Sequence, residues 1–443
     1  MNDWLTKPVS NGSLELFRII VGIIIFAEGA GALALGWVRE TFVDVPFNFT
    51  FIGFEWLNCL NGPYMYIHYG MIAIFGLGIA AGFFYRISAA GFLLFWIIAY
   101  LMQKHHYNNH YYLMILMGFW MLILPLGKRF ALDVRLGRVA KEYYCPAWSR
   151  YVLILQIAIV YFYAAIAKLY PDWLQGIPLS IWLSVISKTH FFGEILADKR
   201  LVIFLSYGGI LFDFMVVPAL LYKKTRWLAV IASLVFHLFN SLVFQIGTFP
   251  YLMIGALPLF FPPATIERWI SGDKFVRQGG VSPRFILTGF GSAALVVFFL
   301  FQMALPLRHW LYPDSVNWTE EGHRMSWRMM LRTKTGYIYF ECKNPQTGES
   351  WRLYNPEDLR ITPDQHSVMA KTPDMIWQCA QRIRRYYKEN DGLDVEVYAH
   401  CKVSLNGRPY QTYIDPAVNL AKEPWRMFTH SEWILPFREA GDD

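Results

Sequence analysis

A chain of 443 residues that is 55% hydrophobic, 18% aromatic and only 16% charged, with a mean hydropathy of +0.29, is too apolar for an ordinary soluble domain and reads as a polytopic membrane protein. A net charge of +7 would otherwise raise nucleic acid as a partner, but the placement of the lysines and arginines between apolar segments accounts for it. Cys59, Cys145, Cys342, Cys379 and Cys401 show no CxxC spacing, which argues against zinc-ribbon and thioredoxin chemistry.

Apolar windows predict spans at 14–37, 64–85, 87–102, 111–126, 151–169, 201–222, 227–244, 248–261 and 285–305, about nine helices of membrane-spanning character. Glu15 and Arg18 at the head of the first, and its length, argue for a retained helix rather than a cleaved signal peptide. The even loops are basic: Arg86 in the second, Lys128, Arg129, Arg135, Arg138 and Lys141 in the fourth, Lys223, Lys224 and Arg226 in the sixth, and Arg268, Lys274 and Arg277 in the eighth. That pattern places them in the cytoplasm. Lys104, Lys188, Lys199 and Arg200 are minor exceptions in odd loops. An odd number of spans puts the C-terminus outside. Two odd loops are long. The aromatic-rich stretch 39–63 is expected to lie on the bilayer surface, and 170–199 to cap a cavity. After Pro306 the composition changes to that of a soluble domain. Tyr337–Glu341 alternates like a strand, 373–388 reads as a helix, and two strands flank Asn406-Gly407, a strong hairpin signal. The expected fold is therefore an α-helical polytopic membrane domain over 1–306, followed by a small extracytoplasmic α+β domain over 307–443.

Lys168 sits near the outer end of the fifth span. An ammonium costs about 2.5–3.5 kcal/mol at a helix centre and less toward an end. Such a lysine either snorkels to the interface or serves, as a neutral amine, as a base. Asn108, Asn109 and His110 open the fourth span at the same predicted depth, which favours a site over a lone anchor. His237 and Asn240, three apart on the seventh span, share a helix face. For Asp213 in the sixth span and Arg18 in the first, structural pairing across helices is the expectation. His105, His106, His110 and His237 invite a metal reading. However, eleven histidines with one cluster, and no Glu-x-x-His pairs, fall short of a di-iron ligand set, so no metal is expected. No nucleotide-binding or hydrolase motif is present.

These residues resemble the vitamin K-dependent γ-glutamyl carboxylase family, whose membrane part is the HTTM (horizontally transferred transmembrane) domain. The matching stretches run in family order: Gly82 to Ser88, Tyr107 to Leu113, Val160 to Trp173, Phe236 to Tyr251, Asn317 to Thr319, Ser326 to Met330, and Ile414 to Pro416. The resemblance implies a chemistry. Lys168 occupies the place of the family's base, which deprotonates vitamin K hydroquinone. O2 then adds, and the strongly basic alkoxide formed removes a γ-proton from a substrate glutamate. The carbanion captures CO2 and the quinone leaves as the epoxide. Asn109 and His110 are expected to hold the quinone oxygens or steer the carbanion step. His237, Asn240, Tyr107 and Trp173 are the expected cofactor-binding set, with phylloquinol or menaquinol as the reduced vitamin K.

Two departures matter. Animal members carry paired lysines here, whereas this chain has Ala167 before Lys168. They also continue beyond the region matched, so propeptide-style docking is not part of the expectation. A short bacterial-type member in the inner membrane is expected. Cysteine placement gives no clear copy of the family's disulfide; Cys342 with Cys401, on predicted neighbouring strands, is the one candidate pair. The alternatives are a quinol epoxidase that does not carboxylate protein, and a lipid- or quinone-binding protein or transporter. Transporters usually show repeated halves, which this chain lacks.

Overall fold

A computed structural model describes residues 4–188, 193–272, 286–355 and 357–439; Lys274, Arg277 and Phe285 lie outside the described residues. A short strand β1 (Pro8–Ser10) leads into α1 (Gly12–Ala34), α2 (Tyr64–Ala81), α3 (Tyr85–Met102) and α4 (Asn109–Ile123). Strand β2 (Tyr144–Pro146) pairs antiparallel with β1 and precedes α5 (Trp148–Ala167). Then come α6 (Ile177–Ile186), α7 (Lys199–Leu221), α8 (Arg226–Phe244), α9 (Phe249–Gly255), α10 (Pro263–Ser271) and α11 (Gly289–Ala304).

All nine apolar segments are helical, but two are not straight full-length spans. Among the described residues, seven helices are long and apolar enough to cross a membrane, or eight if the bent pair after α8 is one span. α4 has 15 residues, about 22 Å at 1.5 Å per residue, short of a roughly 30 Å hydrocarbon core. The segment 248–261 breaks because Pro258, Pro262 and Pro263 remove backbone donors, and the chain turns by 99° into α10. α1 and α2 pack backbone to backbone. A Cβ on Gly22 would stand 2.4 Å from Ala80 N, the close approach that small residues permit between membrane helices. Arg18 is buried in this seam. It pairs with Glu15 of its own helix at 2.8 Å and donates to the Ala80 and Phe130 carbonyls. The expectation of pairing across helices is met by carbonyls rather than by an acid.

The outer part is a four-stranded antiparallel sheet in the order β4-β3-β5-β6, with β3 (Lys334–Lys343), β4 (Ser350–Leu353), β5 (Glu396–Leu405) and β6 (Gln411–Thr412). The helices α12 (Pro363–Met369) and α13 (Pro373–Asn390) accompany it. The hairpin signal is realised: Arg408 N–H donates to Leu405 at 3.1 Å, with φ of 52° at Asn406 and 78° at Gly407, the left-handed pair of a type I′ turn. The returning strand is only two residues long. Cys342 faces Val397 and Cys401 faces Ile338 across the β3–β5 ladder, and all five cysteines are free, so the Cys342–Cys401 pairing does not form.

The stretch 39–63 does not simply lie on the bilayer. Phe49 is fully buried in the outer domain's core, beside Trp318 and Phe340. Gln365 and Gln378 donate to the Phe47 and Thr50 carbonyls at 2.8 and 3.1 Å. Backbone carbonyls that would face lipid unpaired are thereby satisfied by the outer domain.

Candidate active site

Lys168 closes α5 as its C-cap, and the Tyr170-Pro171 step that follows cannot continue the helix. Its ammonium points across to α7, where it forms an ion pair with Asp213 and donates to the Ala164 carbonyl at 3.3 Å. The Trp173 ring stands 5.6 Å from the nitrogen, within cation–π range. Both charged groups are buried. Asp213 is therefore the partner that sequence reasoning assigned to a generic structural role.

The pair opens into a cavity of about 1110 Å³, slightly larger than the usual range of ligand pockets. Its membrane half is lined by Lys168, Asp213, Tyr161, His110, Asn240 and Trp173, among apolar side chains of α7 and α8. Phe204, Leu228, Ile231 and Val235 line it and are also largely exposed, so this wall gives onto the surface that meets lipid. At Gly208 a Cβ would meet nothing within 4 Å, and at Gly209 only the Lys168 stem at 4.0 Å. The glycine pair leaves open space beside the amine.

The expected site residues divide. His110 is half-buried, lies edge-on to Tyr111 at 5.1 Å, and has no side-chain hydrogen bond among the described residues. Asn240 also lines the cavity. His237 does not. It stands behind Tyr161, hydrogen-bonded to the phenol at 2.8 Å, so the hydroxyl facing the cavity is Tyr161's, which the sequence reading missed. Asn109 and Tyr107 line the cavity but are already engaged. Asn109 accepts from Tyr107 Oη at 3.0 Å and from Trp327 N at 3.2 Å, and donates to the Arg328 carbonyl at 3.2 Å. Tyr107 Oη also accepts from Met325 N. Together they clamp the 325–328 segment over the cavity.

The outer half carries a different chemistry. Lys104, Arg324, Arg328, Arg332, Lys334 and Lys371 line it, against one acid, Glu320. Burial raises the Glu320 carboxyl, but Arg332 and Lys334 outweigh it and hold the group at about 2. Burial pulls Lys104 down to about 8 even though Asp374 lies 2.8 Å away. Arg328 donates through Nη2 to Asn317 at 3.1 Å, while its Nε is buried with no hydrogen-bond partner among the described residues. The outer domain is latched to the membrane part by the hairpin turn: Arg408 grips Asp172 with two bonds of 2.6 and 2.7 Å, and Asn406 adds a third at 2.6 Å.

A membrane domain with a lysine-bearing cavity roofed by a small α+β domain defines a class, and the family comparisons agree with it. Residues 6–264 match the HTTM domain. Residues 288–440 match the vitamin K-dependent gamma-carboxylase lumenal domain. The chain belongs to the vitamin K-dependent gamma-carboxylase family. No solved structure matches it.

Proposed function

We propose that the chain is an integral-membrane γ-carboxylase that couples oxygenation of reduced vitamin K to its epoxide with carboxylation of protein glutamate. The observation that carries this reading is one continuous cavity with two chemistries: an apolar half holding the Lys168–Asp213 pair, and a cationic outer half. The apolar half suits a lipid-soluble quinol entering from the bilayer between exposed side chains of α7 and α8. The cationic half suits an acidic peptide segment. The quinol, when bound, supplies through its reaction with O2 the strong base that removes the glutamate γ-proton.

The chain's residues take these roles. Once the pair has lost its proton, Lys168, as the neutral amine, accepts the hydroxyl proton of the quinol, and Asp213 stabilises the ammonium that results, which restores the ion pair. His110, Asn240 and the Tyr161 hydroxyl, held by His237, present hydrogen-bonding groups to the ring oxygens. Trp173 packs over the amine. Asn109 and Tyr107 act as positioning residues that hold the 325–328 segment, and Arg328, which lines the cavity, meets the substrate carboxylate through its guanidinium. The cavity's apolar lining excludes water from the carbanion step. We place the boundary between the catalytic membrane domain and the outer domain at 306/307. The basic even loops support an extracytoplasmic outer domain in a bacterial inner membrane.

The test incubates membranes containing the chain with reduced vitamin K, O2, labelled CO2 and a glutamate peptide. Epoxide together with labelled peptide is expected. Epoxide without label would reduce the function to quinol epoxidation, and neither product would refute the reading.

A further inference from the structure

The histidine pair of the 104–110 stretch plays no part in the chemistry above. His105 and His106 lie in the turn between α3 and α4, with ring centroids 4.1 Å apart. Asp364, in the first turn of α12, comes from the outer domain to meet them. One ligand atom from each of the three lies within 4.8 Å of the others. We propose that His105, His106 and Asp364 bind a divalent zinc-class ion that pins the α3–α4 turn to the outer domain.

The donor set is two imidazoles and a carboxylate, the borderline nitrogen and oxygen ligands that zinc takes, with a position left for water. A tetrahedral site built on bonds of about 2.0 Å has ligand–ligand edges of roughly 3.3 Å. Binding would therefore draw the three ligand atoms, now within 4.8 Å of one another, together by up to about 1.5 Å. The two histidines are already oriented. The Trp37 ring lies 5.5 Å from that of His106. His105 is buried, with its Nδ1 lacking any hydrogen-bond partner among the described residues, a costly state for an imidazole with no ion or proton to share. The backbone under Asp364 is fixed as well. Thr362 and Gln365 form a capping box, and Gln365 Nε2 donates to Phe47 O at 2.8 Å and Asn48 Oδ1 at 3.2 Å. Loop and helix therefore arrive in register before any ion binds.

The test uses the full-length chain without an affinity tag, stripped by chelator in detergent, loaded with zinc chloride and desalted. Metal analysis is expected to find about one zinc retained per chain, and zinc to raise the melting temperature. Asp364→Asn removes an exposed ligand and leaves the fold intact; its zinc affinity is expected to fall at least about tenfold, and His106→Gln is expected to retain none. Cobalt(II) in place of zinc is expected to give the visible absorption of a four-coordinate site. No retained zinc in the native chain would overturn the proposal. Equal zinc in Asp364→Asn and His106→Gln would overturn it too, because the ion would then sit elsewhere. Neither result bears on epoxide formation, which is measured separately.

Discussion

Replacing Lys168 tests the site and the ion pair together, and the two effects can be separated. Asp213 is 5% exposed, and apart from its bond to Lys168 the described residues give its carboxylate no hydrogen bond. Lys168→Ala therefore removes the base and strands a buried charge. Breaking one side of a buried pair costs about 3–5 kcal/mol, enough to consume much of a marginal stability. A Lys168→Met/Asp213→Asn double variant removes both charges at similar volume and is expected to recover most of that loss. Activity behaves differently. Both variants lack the proton acceptor, so epoxide formation is expected to fall by at least about 10²-fold, the lower bound for losing a positioned acid–base group. Chromatographic detection of vitamin K epoxide reads the first effect, and thermal unfolding in detergent reads the second. Epoxide at the native rate from either variant would remove Lys168 from the mechanism. A double variant no more stable than Lys168→Ala would show that the pair's burial is not the source of the loss.

His110→Ala is expected to lower kcat at least about tenfold with little change in melting temperature, because His110 has no side-chain hydrogen bond to lose among the described residues; an unchanged kcat would count against its role. Asp172→Asn breaks the grip on Arg408, which draws the Asp172 carboxyl below its ordinary range. The expected cost is about 1.5–3 kcal/mol, read as faster limited proteolysis of the outer domain. Glu320 gives a pH dependence. Its folded-state value of about 2 lies below the ordinary 4.5, so the unfolded chain binds the proton first. Its stabilising contribution is complete above about pH 4.5 and lost as the pH falls toward 2. Glu320→Gln is expected to flatten the melting-temperature profile in that window, and an identical profile would refute the assignment.

Period and charge made much of this molecule legible before any coordinates. The apolar windows mark every helix of the membrane part longer than ten residues, because the hydrocarbon leaves the backbone no alternative to helix. Asn406-Gly407 marks the hairpin because few other residues accept the left-handed turn. What the pattern does not carry is rotation of one helix against the next. Lys168 and Asp213 each stand out as a charge in an apolar run, yet they are 45 residues apart, and nothing local says that α5 and α7 turn them face to face. The same limit hid the division of labour in Tyr107-Asn108-Asn109-His110. The side chains of Asn109 and Tyr107 are spent on the 325–328 backbone, more than 200 positions away, which leaves His110 as the free polar group on that turn. The hairpin was readable as a turn but not as a latch, since its purpose depends on Asp172 in a distant helical turn. The polar residues of this chain thus separate by what they touch. Asn109, Tyr107 and Arg408, satisfied by backbone or by an opposite charge, tie the two parts together, whereas His110, Asn240 and Arg328 line the cavity with side-chain donors or acceptors that no described residue takes up. It is that distinction, more than residue type, that singles out His110, Asn240 and Arg328 beside the Lys168–Asp213 pair.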